Sequence, residues 1–170
     1  MDFPALILKA KKRYPQIKYI SFDLSDEFPI VSESFDVVYA NQIVEHIIDD
    51  GKFLEECFRI LKPGGILVLS TPNIAFIRDR IWLLLGIFAS NTSDFYNHIN
   101  HYTFKALKRK LIEANFKNIC LKGAVYNLGS GFIKDFFRHF KYCYQNPLWF
   151  LLESILPRNF KSMIVARAMK

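Results

Sequence analysis

Gln42, Glu45 and His46 are spaced i, i+3 and i+4, so a helix there would set an amide, a carboxylate and an imidazole on one face. A second group lies downstream, where His98 and His101 sit in a polar loop, SNTSDFYNHINHY, over 90–102. A general base for a hydroxyl is a histidine or a carboxylate within hydrogen-bond reach, so both groups are candidates for proton transfer. A third set is uncharged or acidic and suits hydrogen bonding to a ligand: Asp23, Asn41, Gln42, Ser70, Thr71 and Asn73.

The elements that must position these residues read from the hydrophobic pattern. Pro4 suits a helix first turn, good helix formers follow to Arg13, and Tyr14-Pro15 ends that helix. IKYISF at 17–22 reads as a strand, and Asp23 opens the turn after it. FDVVYA at 35–40 reads as a strand buried on both faces. Asp49-Asp50 can cap a helix in which Phe53, Cys57, Ile60 and Leu61 share a face, with Glu55 and Arg59 paired at i,i+4 on the other side. Lys62-Pro63-Gly64-Gly65 stops it, ILVLS at 66–70 is a further buried strand, and Thr71-Pro72-Asn73 turns at its end.

An apolar helical stretch covers 74–88. Thr103 caps a helix with the stripe Phe104, Leu107 and Leu111, and Asn115 stands where glycine often ends a helix. Strands are expected over 119–125 and 162–168, with aromatic helical segments near 132–143 and 147–156 between them. Helices alternating with buried strands indicate an α/β sheet, whose ligand lies beyond the carboxyl ends of the strands. The hydrogen-bonding set above clusters at those ends.

Composition narrows the partners. The net charge is +7 and the pI about 9.3, which favours anionic ligands, acidic glycans or a membrane surface. No helix combines a basic face with base-stacking aromatics, so nucleic acid is not an expected partner. Cys57, Cys120 and Cys143 are odd in number and far apart. They offer neither zinc spacing nor a disulfide framework, which suits a reducing cytoplasm. Lys9, Lys11, Lys12 and Arg13 interrupt the first apolar run, so it does not read as a secretory signal. The runs at 81–89 and 147–156 are half the length of a bilayer crossing, and they read as core helices or as faces resting peripherally on a membrane.

The block FDVVYANQIVEHIIDDGKFLEECFRILKPGGILVLSTPN, at 35–73, resembles the central segment of class I S-adenosylmethionine-dependent methyltransferases. It is most similar to the branch holding quinone-biosynthesis and glycan-cluster small-molecule methyltransferases. The FDVV strand, the EH pair and LKPGG occur in order at the family spacing. NHINHYTFKALKRKLIEANFKN resembles the later family segment that ends in a Gly-Phe turn, here Asn115-Phe116. The likeness weakens after about residue 125. It implies one partial domain over 1–170, with a cofactor-side core at 1–125 and an aromatic segment plus last strand at 126–170.

The resemblance implies a Rossmann-like sheet of order 3-2-1-4-5-7-6 from which the first strand, the Gly-rich turn and most of the second strand are missing, so that Met1 reads as an internal methionine of a truncated domain. It implies S-adenosylmethionine as cofactor, with Asp2 on the ribose, Asp23 and Leu24 at the adenine edge, and Asn41 and Gln42 along the methionine part. Asp2 reads equally as a helix-capping residue, Asp23 as an Asx-turn, and Asn41 as a turn residue. His98 and His101 fall near the expected acceptor pocket as candidate catalytic bases, or in a plain surface loop. Arg78, Arg80 and Tyr102 would line an anionic acceptor site or an ordinary surface. Some relatives carry an E-x-x-E-H metal site where this chain has Gln42, Glu45 and His46. An amide is a poorer ligand than a carboxylate, so no metal is expected, and His46 is expected to make a structural hydrogen bond. The implied activity is methyl transfer to a hydroxyl of a small or lipid-linked acceptor such as a sugar or phenol. The missing Gly-rich turn supports a rival reading, a non-catalytic remnant or an interaction module pairing with a full-length copy or with itself.

Overall fold

The structure is a computed structural model that describes residues 3–86, 98–124 and 155–170; the side chains of 3–6, 78 and 82 are outside it. Asp2, the aromatic segment expected at 132–143 and all but the last two residues of that expected at 147–156 therefore lie outside the described residues. The described chain runs α1 (Phe3–Arg13), β1 (Phe35–Asn41), a 3-10 turn (Val44–His46), α2 (Asp50–Ile60), β2 (Leu61–Pro72), α3 (Ile77–Leu84), α4 (Phe104–Glu113), β3 (Lys117–Ala124), a second 3-10 turn (Arg158–Phe160) and β4 (Met163–Met169).

The four strands form one sheet of order β1-β2-β4-β3. β1 and β2 are parallel, and β4 runs antiparallel to both β2 and β3. This corresponds to the 4-5-7-6 part of the sheet order implied by the resemblance. The inward residues of β2, Leu67 and Leu69, and of β4, Ile164, Ala166 and Ala168, are buried together with Leu54 from α2 and Leu107 and Leu111 from α4. Alternation along the strands and the stripe at i, i+3 and i+7 along α4 thus close one core.

The caps explain where the helices begin and end. Asp49 Oδ1 accepts from Lys52 N at 2.9 Å, and Thr103 Oγ1 accepts from Ala106 N at 3.2 Å. Each cap satisfies a helix N–H that has no intrahelical partner. α4 stops at Asn115, which adopts φ +67° while Phe116 N donates to Leu111 O at 3.0 Å. Asparagine replaces the usual glycine there because its short polar side chain tolerates the left-handed region.

Four expectations are corrected. First, 17–22 forms no strand and joins no ladder among the described residues. β-propensity makes a strand only where a neighbour supplies hydrogen bonds. Second, β1 is not buried on both faces. Val37 is 55% and Tyr39 67% exposed, while Ala40 on the other face is buried against the core. Third, LKPGG ends α2 but continues as β2. The β1–β2 register shifts between Phe35 and Val37, so the glycines form an irregularity inside the strand. Gly64 takes φ +77°, and a Cβ on Gly65 would lie 2.8 Å from Lys62 O, so both positions require glycine.

The fourth concerns charge pairing on α2. Arg59 pairs with Glu56, not Glu55, at 2.7 Å. Its guanidinium also donates to Phe28 O at 2.9 Å and Ile30 O at 2.8 Å, and Glu56 accepts from Phe28 N at 2.7 Å. The pair thereby staples the loop before β1 onto α2. The Arg59 hydrogen bond holds the Glu56 carboxyl below its usual value.

Candidate functional site

The carboxyl ends of β1 and β2 are joined by side chains. Ser70 Oγ donates to Asn41 Oδ1 at 2.5 Å, and Gln42 N donates to Ser70 O at 3.0 Å. Gln42 leaves the strand with φ +54°, and its amide donates to Ser70 Oγ at 3.5 Å. Asn41 is exposed and Gln42 half-buried, so both face the space beyond the sheet. Because Gln42 precedes the 3-10 turn in a left-handed conformation, it is not on a shared helical face with Glu45 and His46. The helix expected across 42–46 is a single turn, Val44–His46.

Glu45 is 1% exposed. Its Oε2 accepts from Thr71 Oγ1 at 3.1 Å, and its Oε1 has no hydrogen-bond partner. Burial pushes its carboxyl above the usual value, against the hydrogen bonds from backbone and Thr71 and the nearby His46 and His98. The Glu45 carbonyl accepts from Ile99 N at 2.8 Å and Asn100 N at 3.0 Å, and Asn100 Nδ2 donates to Ile47 O at 2.6 Å. These bonds pin the loop carrying His98 onto the 3-10 turn. The His46 and His98 rings sit 4.8 Å apart, tilted by 58°.

One ligand atom from each of Glu45, His46 and His98 lies within 4.8 Å of the others. A carboxylate with two imidazoles suits a divalent transition ion better than magnesium. The orphaned Glu45 Oε1 fits such an ion. The expectation of no metal was argued from Gln42, without His98 set beside Glu45 and His46. Nothing local in the sequence links 98 to 45, because the approach is made by backbone hydrogen bonds across the fold.

His101 is exposed and borders the same crevice as Glu45, Pro72, Ile74, His98 and Tyr102. Partial burial, and then the His98 charge, lower its pKa, which favours the neutral, proton-accepting form. Tyr102 also borders this crevice, but its hydroxyl is already engaged. It is buried, and its hydroxyl donates to Asp50 Oδ2. Burial and that bond raise its pKa. Arg80 is exposed, and the Arg78 side chain is outside the described part. Asp23 is exposed, its Oδ1 accepting from Ser25 N at 2.9 Å as an Asx-turn does. Leu24 is half-buried beside the core.

A parallel β1–β2 pair followed by an antiparallel hairpin-like β4–β3 edge, with polar residues beyond the carboxyl ends of β1 and β2, defines the sheet of a class I methyltransferase. The comparisons agree. Residues 2–69 match the family described as "Methyltransferase domain". The chain is 41% identical over 69 residues to a probable S-adenosylmethionine-dependent methyltransferase of Mycolicibacterium smegmatis, covering 41% of this chain and 26% of that protein. It is 30% identical over 123 residues to the human mitochondrial ubiquinone biosynthesis O-methyltransferase, covering 69% of this chain and 32% of that protein. A solved S-adenosylmethionine-dependent methyltransferase of Thermotoga maritima, described as a possible histamine N-methyltransferase, superposes with a TM-score of 0.63 at 17% identity, over 93% of this chain and 66% of that one. The chain thus carries a segment of the S-adenosylmethionine-dependent methyltransferase family, and it spans about a quarter to a third of the length of these curated relatives.

Proposed function

We propose that the chain serves an S-adenosylmethionine-dependent methyltransferase acting on a hydroxyl of a small or lipid-linked acceptor, such as a sugar or a phenol. The observation that carries this reading is the Asn41–Gln42–Ser70 cluster at the carboxyl ends of parallel β1 and β2, within a segment matching the methyltransferase family. The cofactor supplies an electrophilic methyl group on a sulfonium, and the protein supplies position and electrostatics.

In this reading Asn41 and Gln42 hold the amino-acid part of the cofactor with amide groups, Asp23 and Leu24 flank the adenine, and Asp2 meets the ribose. Asn41 Oδ1 accepts from Ser70 Oγ, so the amide nitrogen is the group left to meet the cofactor. His101, neutral near pH 7, takes the acceptor's hydroxyl proton, or His98 does so from the same crevice. The identity with the human ubiquinone biosynthesis O-methyltransferase favours a hydroxyl acceptor over an amine.

A calorimetric titration of the purified chain with S-adenosylmethionine, with mass determination by size exclusion, tests the reading. Micromolar binding supports it. A folded chain that does not bind would instead favour an interaction module that pairs with a longer copy, a reading that the exposed Val37 and Tyr39 of β1 also suit.

A further inference from the structure

A second cleft, of about 410 Å³, lies on the other side of the segment that follows β2. The chain itself divides the two spaces by alternation: Pro72 and Ile74 face the His98 crevice, while Asn73 and Ala75 face the cleft. The cleft is walled by the first turns of α4, by apolar residues of β3 and by the Arg158–Phe160 turn.

Its lining carries four cations, Arg80, Lys105, Lys108 and Arg158, and no carboxylate. None of the four is ion-paired among the described residues. The two arginines are fixed without spending their charge. Arg80 Nε donates to Ala75 O at 2.7 Å while its guanidinium lies 4.7 Å from the Phe160 ring, and Arg158 lies 5.8 Å from the Phe104 ring. Lys105 and Lys108 stand three apart on α4, where like charges repel. They also stand in its first turns, where the helix end is already positive. A cationic group at that end lowers stability, so the arrangement opposes folding and suits an anion. With Thr103 Oγ1 engaged by Ala106, the backbone N–H groups of Phe104 and Lys105 remain to face such an anion.

We propose that this cleft binds a phosphate-bearing group, a diphosphate or a phosphomonoester, through Lys105, Lys108, Arg80 and Arg158. Four cations with no acid match a multiply charged oxyanion, whereas a lone carboxylate would leave most of the charge uncompensated. The proposal stands apart from methyl transfer and needs no cofactor.

The probe is inorganic pyrophosphate, titrated calorimetrically into the purified chain at about 150 mM salt, where diffuse surface attraction is screened. The variant Lys105→Gln/Lys108→Gln should weaken binding about tenfold or more, as expected for lost charge-assisted hydrogen bonds. Both lysines are exposed, so the variant should fold; circular dichroism and the thermal midpoint verify this. Lys9→Gln/Lys12→Gln on α1 removes the same charge elsewhere and should leave binding unchanged. A parallel arm measures flotation with vesicles containing phosphatidic acid. Pyrophosphate binding alone identifies a soluble phosphate-bearing ligand. Vesicle binding that the Lys105/Lys108 pair abolishes identifies a lipid headgroup. Binding to neither, or equal weakening by the two lysine pairs, overturns the proposal. The titrations contain no S-adenosylmethionine, so a negative result here leaves the methyltransferase reading as it was.

Discussion

The Tyr102 hydroxyl donates to Asp50 Oδ2 at 2.6 Å, joining the loop before α4 to the first residue of α2. Lys110 completes the carboxylate from α4, its Nζ 2.6 Å from Oδ1. Asp50 is therefore the point at which two helices and the histidine loop are tied, and Tyr102 is buried in the core beneath His101.

Replacing Tyr102 by Phe keeps the ring and removes only the bond. Asp50 would keep Lys110 but lose one donor while buried. The expected cost is about 1–3 kcal/mol. Urea unfolding followed by circular dichroism measures it, and an unchanged midpoint would show that the bond contributes nothing net.

Glu45→Gln should stabilise the metal-free chain near pH 7. The folded pKa of Glu45 is raised above the usual value of 4.5, so its contribution is fully present below the unfolded pKa and is lost as pH rises through the raised one. Glutamine carries no charge to bury, so the variant escapes that loss. The gain should be present at neutral pH and vanish as the pH falls below the unfolded carboxylate value. Thermal melts across pH in a chelator provide the check; a variant less stable at pH 7 would contradict the account of the orphaned oxygen.

Cys57 and Cys120 should differ sharply toward iodoacetamide. Cys57 is buried on α2, and burial pushes its thiol up to about 12, whereas Cys120 is exposed on β3. Only the thiolate reacts. Peptide mass spectrometry should find Cys120 alkylated and Cys57 protected until denaturant is added. Early labelling of Cys57 would mean that α2 opens in the native state.

At Asn115, φ +67° sets opposite signs for two substitutions. Asn115→Gly should be neutral or stabilising by a few tenths of a kcal/mol, and Asn115→Ala should cost about 1 kcal/mol, since a Cβ is penalised in the left-handed region and alanine has no polar group to offset it. Thermal midpoints of the two variants would have to rank in that order.

The local signals were legible in the sequence. Asp49, Thr103 and Asn115 mark helix ends because capping depends on neighbours only a few residues away. The EH pair and LKPGG pointed to the right part of the right sheet. What failed depended on distant chain. The stretch at 17–22 has strand propensity, but a ladder partner is not a local property. Glu56, not Glu55, takes Arg59 because the loop at Phe28 and Ile30 approaches from one side of α2. The Glu45–His46–His98 cluster was hidden for the same reason: its third member arrives through the bonds from Ile99 and Asn100 to a carbonyl. The roles assigned to Asp23, Leu24, Asn41 and Gln42 depend on a ligand and await the titration described above.

The position of β4 carries a consequence for how the chain is made. It follows β2 and β3 in sequence yet lies between them, pairing Leu67 with Ala168 on one side and Leu121 with Ala166 on the other. While the chain is still being synthesised, β2 and β3 can each fold against their own helices, but neither can reach the other. The sheet closes only after the ribosome has delivered 163–169. Until then two strand edges, that of β2 carrying Ile66, Leu67, Val68 and Leu69 and that of β3 carrying Ile119 and Leu121, stand open to chaperones and to neighbouring nascent chains. High sequence separation of this kind slows folding and lengthens that exposure.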